Sequence, residues 1–142
     1  LKEVPMTGNL RKLQLLVGNY FMDAIKTKHK VALTRQVEVV EPNIISIAPG
    51  QNYPVNIQRN RWYTGAIWLQ ATDKSSSLYF EQHGPKLYSD PPGIQEYTSF
   101  VKPLQWQYCF YPSHIPAGFT PNLSMINTNI FHCCFTAFPN KQ

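Results

Sequence analysis

Two runs late in the chain alternate large apolar and polar residues with a period of two, and this restricts the fold more than any other feature. In Leu104-Gln-Trp-Gln-Tyr-Cys-Phe-Tyr111, the side chains of Leu104, Trp106, Tyr108 and Phe110 fall on one side, and those of Gln105, Gln107, Cys109 and Tyr111 on the other. A half-buried strand requires this spacing, and the first face is the expected core. Between Met125 and Phe138, Phe131, Cys133, Phe135 and Ala137 share one face, while His132, Cys134 and Thr136 take the opposite face with Ile130 and Phe138 at its ends. The expectation is two long strands joined by a Pro-rich loop.

Earlier in the chain the period is helical first. Leu10, Leu13, Val17, Tyr20, Phe21, Ala24 and Ile25 recur at helix spacing from about Gly8, with Thr7 or Asn9 available as N-cap and Lys26, Lys28 and Lys30 at the far end to suit the dipole. From Val31 the alternation of a strand takes over, and Glu41-Pro42-Asn43 is expected to end it. Ile44 to Ala48 reads as a short strand closed by the turn Pro49-Gly50, and Tyr53 to Gln58 as one that Pro54 restricts to a sheet edge. From Trp62 to Gln70 both sides are apolar: Trp62, Ala66 and Trp68 against Tyr63, Ile67 and Leu69. That pattern predicts a central strand between two layers. Further strands are expected at Leu78 to Phe80, Lys86 to Tyr88 and Glu96 to Val101, separated by the polar turn Asp73 to Ser77 and by Gly84-Pro85 and Asp90-Pro91-Pro92-Gly93. Eleven of the twelve prolines lie from residue 42 to residue 139, at the boundaries of patterned runs, as in a chain with many turns.

About eight strands at irregular spacing predict a mainly β fold, a two-layer antiparallel β-sandwich of jelly-roll kind with one N-terminal helix. The division is residues 1–30 as N-terminal extension and helix, and 31–142 as the sandwich domain. A chain of 142 residues suffices for one core without staples. No apolar run approaches the ~18 residues of a membrane span, and no signal peptide is present. The three cysteines cannot all pair, and adjacent Cys133 and Cys134 point to opposite sides of a sheet. Free thiols and a reducing compartment are expected.

The search for chemistry returns little. Cys133 or Cys134 with His132, His114 or His83, oriented by Asp90, lacks the Gly-rich elbow that a nucleophile needs. His132 and Cys134 share a face but are roughly 7 Å apart along a strand, and no Cys-x-x-Cys or His-x-x-x-His spacing completes a metal set. Phosphate-binding glycine loops are absent from the sequence. No catalytic residue, metal or cofactor is assigned, and the reading is non-enzymatic.

Charge and aromatic content point instead to contacts. Charged residues are 15% of the chain, against about 25% in an average soluble protein, a surface suited to packing against copies of itself. Leu1 to Arg35 holds seven Lys or Arg against two acids, while the remainder has six of each. Lys26, Lys28, Lys30 and Arg35 are therefore the candidate anion contacts, through which this region would meet nucleic acid. The aromatic residues exceed the needs of one core face, and Arg59, Arg61, Trp62, Tyr88, Trp106 and Tyr111 are the candidate ligand or subunit contacts. The loops Gly84 to Gly93 and Ser113 to Asn122 are expected to carry contact surfaces, and Asn122-Leu-Ser124 is a formal glycosylation acceptor.

In kind, the span from Val31 to Phe138 resembles small viral jelly-roll coat or spike proteins. The resemblance implies a self-associating structural protein, a viral capsid or surface-projection domain. Its partners would be copies of itself or other coat subunits, with a glycan or receptor outside. Its location would be the virion, or the host cytoplasm during assembly, and Gln142 would suit the end of a fragment cut by a viral cysteine protease. The alternative is a lectin-like carbohydrate-binding sandwich, with Trp62, Tyr88 or Trp106 stacking on a sugar ring.

Overall fold

The structure is a computed structural model that describes residues 2–4, 8–27, 31–32, 39–57, 60–61, 63–81, 86–89, 94–96, 100–135 and 140–141. In chain order its elements are β1 (Lys2–Val4), α1 (Gly8–Thr27), β2 (Val31–Ala32), β3 (Val39–Ile47), β4 (Tyr53–Val55), β5 (Tyr63–Gln70), β6 (Leu78–Phe80), β7 (Lys86–Ser89), β8 (Ile94–Glu96), β9 (Phe100–Val101), β10 (Tyr108–Pro112), β11 (Ala117–Phe119), β12 (Thr128–Phe135) and β13 (Asn140–Lys141). A seven-stranded sheet has the order β1-β3-β12-β5-β10-β7-β8, a four-stranded sheet the order β4-β11-β6-β9, and β13 pairs with β2 alone.

The central strands alternate between the two large sheets along the chain. β3, β5, β10 and β12 lie in one, and β4, β6, β9 and β11 in the other. With every pairing antiparallel, this exchange makes a jelly roll. The mainly β, two-layer expectation is met. So is the helix, which runs through Gly18 and Asn19 without interruption because Gly18 is buried against Val39 where the helix crosses β3.

The larger sheet is covered on both faces. On one side Phe21 of the helix enters a cluster with Tyr63, Ile67, Tyr108, Phe110, Phe131, Cys133 and Phe135. The other face packs on the smaller sheet through Ile45, Ile47, Ala66, Trp68, Leu78, Phe80, Cys109, Tyr111, Phe119 and Ile130. β5 is the strand between layers that its two apolar faces predicted, six of its eight residues being buried. β4, with Pro54, forms an edge of the smaller sheet, where a missing N–H costs no ladder bond.

Two expectations change. The strand expected from Leu104 begins only at Tyr108: Gln107 N–H donates to Leu104 O at 2.9 Å, Trp106 adopts φ 69°, and Leu104 and Trp106 are exposed. The alternation continued past the point where the backbone turns. Its two faces are also both interior, Tyr108 and Phe110 under the helix, Cys109 and Tyr111 between the sheets.

Secondly, Glu41-Pro42-Asn43 does not end a strand. β3 passes through it, and the register with β12 skips from His132↔Asn43 to Cys134↔Val40, so Glu41 and Pro42 occupy a bulge where no ladder donor is needed.

The expectation of free thiols holds: β5 lies between β10 and β12, which keeps Cys109 away from Cys133 and Cys134, and all three thiols are free.

Asn122, the formal glycosylation acceptor, is 1% exposed and is a structural residue. Its Nδ2 donates to Ile47 O and Ile126 O at 2.8 Å, and its Oδ1 accepts from the Ser124 N–H and hydroxyl, tying the loop before β12 to the end of β3. Among the described residues, no helix is long and apolar enough to cross a membrane.

Candidate functional site

On the inter-sheet face, the register of β3 with β12 turns polar at one point. Ile47 pairs with Thr128 and Ile45 with Ile130; then Asn43 pairs with His132, and past the bulge that holds Glu41 and Pro42, Cys134 pairs with Val40. Polar side chains here replace the apolar ones that close the sandwich elsewhere. They leave a pocket of about 280 Å³ lined by Glu41, Asn43, Tyr53, Val55, Asn56, His132 and Cys134. β3 and β12 supply one wall, and β4 with the residue after it supplies the other. A concave space on which several polar side chains converge is the default place to look for a small-molecule site, although this one is more polar than most.

Glu41 sits in the bulge at φ 53°, an unusual conformation for a residue with a side chain. This backbone aims its carboxylate at Arg61: the Arg61 NH2 and Nε both reach Oε1, at 2.6 and 2.8 Å. The two side chains are 42% and 26% exposed, so the pair adds only about 0–1 kcal/mol to stability. Its larger effect is to fix Glu41 at the pocket wall.

Asn43 Oδ1 is buried without a hydrogen-bond partner. A carbonyl oxygen in that state calls for a donor from a bound molecule or water. His132, opposite it, is 8% exposed.

The thiols are poor nucleophiles here. Burial pushes the Cys134 thiol up to about 11, with the neighbouring Glu41 carboxylate adding to the rise and a hydrogen bond from Thr64 partly opposing it. Burial also raises Cys133 and Cys109, and Cys133 lies on the helix side of the sheet. Since the thiolate is the reactive form, no described cysteine is activated. Among the described residues, no group of three or more His, Cys, Asp or Glu side chains could hold a metal ion.

The contact residues expected from sequence scatter. Arg61 is beside the pocket in its pair with Glu41, Trp106 is 52% exposed on the turn before β10, and Tyr111 is 1% exposed inside the sandwich, where no surface partner reaches it. Tyr88 is on β7, and Arg59 and Trp62 lie outside the described residues. Of the anion contacts, Lys26 is exposed in the last turn of α1, while Lys28, Lys30 and Arg35 lie outside the described residues. The span from Ser113 to Asn122 is mostly interior and contains β11, so it is no projecting loop. Glu41, Asn43, Tyr53 and Asn56 were missed. Their only local signal is polar residues breaking an apolar alternation.

No protein-family model matches the chain, and no curated protein is similar to it in sequence. Among solved structures the chain is similar to an oxidoreductase of the 2OG-Fe(II) oxygenase family from Burkholderia pseudomallei, with TM-score 0.60 and 10% identity over 97% of this chain and 62% of that one. The chain thus spans less than two thirds of that protein, and at this identity the likeness is one of fold. EvdMO1 overlaps more loosely, with TM-score 0.48 and 9% identity over 95% of this chain and 46% of that one, and nothing is built on it. The expectation of a non-enzymatic viral capsid or spike protein, with its lectin-like alternative, is corrected by this finding: the fold is one that an oxidoreductase shares. The surplus of aromatics misled because most of the described ones fill two interior layers, with Tyr20, Phe100 and Trp106 left exposed.

Proposed function

We propose that this chain is an enzyme domain built on the oxygenase-type jelly roll, and that a small polar organic substrate occupies the pocket between its sheets. The observation that carries this reading is a polar pocket at Asn43 and His132 inside a fold that overlaps the Burkholderia oxidoreductase along nearly the whole chain. His132 brings an imidazole to the pocket, a group that can donate or accept a hydrogen bond with a substrate. Asn43 Oδ1 receives a substrate hydrogen bond, and the Glu41–Arg61 pair keeps the adjoining wall fixed.

The name of that relative raises the question of iron. Fe(II) of this kind takes imidazole and carboxylate donors on one face of the metal. Among the described pocket residues the ligand types are His132, Glu41 and Cys134: one imidazole where such a site takes two, one carboxylate that holds Arg61 through Oε1, and a thiol that at about 11 is protonated at neutral pH, whereas a ligand thiol must be ionised. These residues do not fit the metal.

A thermal-shift screen of small polar metabolites tests the proposal. At least one compound is expected to raise the melting temperature by several degrees, as binding to the folded state requires, and to lose that effect in Asn43→Leu and His132→Gln. A screen without stabilising compounds, or one in which both variants respond as the parent does, would overturn it.

A further inference from the structure

Resting on that reading of the pocket, we infer that the site works without a metal and takes a neutral molecule that donates hydrogen bonds, a primary amide being the class that fits. Asn43 Oδ1 is buried and unpartnered, and Glu41, two residues earlier on β3, presents a second acceptor. Both guanidinium contacts of Arg61 fall on Oε1 of Glu41, which leaves Oε2 outside the guanidinium's grip. Two acceptors on one wall ask for a group with two donor hydrogens, and a planar amide NH₂ supplies them.

The charges at the site decide against an acid. None of the described pocket-lining residues is Lys or Arg, and the neighbouring Arg61 is already held by Glu41, so a carboxylate would have to compete with Glu41 for that cation and would meet the Glu41 carboxylate. Burying an unpaired charge is the costliest arrangement available. A keto acid chelated to a metal needs a metal set and a free cation; the described lining provides no metal set, and Arg61 beside it is paired with Glu41. A neutral amide avoids both demands.

The test uses the full chain after chelator treatment, with propionamide and 2-oxoglutarate as probes in saturation-transfer NMR, and Mn(II) titrated as a spectroscopic stand-in for Fe(II). Propionamide is expected to give a signal in the presence of chelator, weakened at least tenfold by Asn43→Leu and by Val55→Phe, which fills the pocket from the β4 wall. Under the same conditions 2-oxoglutarate gives none with or without metal, and the Mn(II) resonance stays that of the free ion. One equivalent of bound Mn(II) lost on His132→Gln, or 2-oxoglutarate binding that Val55→Phe abolishes, would overturn the inference while upholding the pocket as the working site. Absence of every probe from the pocket, together with a blank metabolite screen, would remove both.

Discussion

Replacing Trp68 with alanine is expected to destabilise the protein by about 3–5 kcal/mol, the range for truncating a large buried aromatic. Trp68 is fully buried in the middle of β5 and meets Phe119 of the opposite sheet edge-to-face at 6.0 Å. Its indole Nε1 also donates to Ser76 O at 3.0 Å, anchoring the turn before β6. Alanine would therefore leave a cavity between the sheets and a buried carbonyl without its donor. Urea denaturation reads the loss directly. Trp68→Phe keeps most of the volume and should cost clearly less, while equal losses in the two variants would mean that the Ser76 bond, and not the packing, carries the effect.

Phe21→Ala should cause a loss of similar size, about 3–5 kcal/mol, on the other face of the same sheet. Phe21 is fully buried, with ring centroids 5.5 Å from Tyr108, 5.7 Å from Phe135 and 6.5 Å from Phe110. It fits because Gly65 lies beneath it: a Cβ there would come within 2.9 Å of Phe21 Cζ. Truncation removes this buried anchor of α1, whose Leu15 and Leu16 are 60% and 69% exposed and add little burial. Native-state hydrogen exchange should then show α1 amides opening far more readily than those of β5 and β12, a local opening of the kind that weakly held elements undergo. Unchanged protection of α1 would show that the helix is held by other contacts.

How much of this was legible in the sequence depends on whether the signal was local. The doubly apolar run from Tyr63 to Leu69 marked a strand between two layers because each of its faces has its own partner. Pro54 marked an edge because proline lacks the ladder donor. The division of Phe131, Cys133 and Phe135 from His132 and Cys134 followed from the period of two. Pro42 misled, since a proline reads as a break unless the partner strand is known to skip a residue opposite it. Trp106 misled for a similar reason: the left-handed turn that releases it from the strand is fixed by Trp68, which accepts its N–H at 2.7 Å. The pocket was the least legible feature. His132 was visible on its face, but Asn43 lies 89 positions away, and only antiparallel pairing of β3 with β12 places the two side by side.

The central claim, that the working site is the pocket between β3, β12 and β4, is tested most directly by mapping backbone amide shifts of the labelled protein against a stabilising ligand. The account predicts that the largest shifts fall at Glu41, Asn43, Asn56, His132 and Cys134, with little change near Trp106. Shifts centred on Trp106 and the turn before β10, with the β3–β12 amides unmoved, would contradict it.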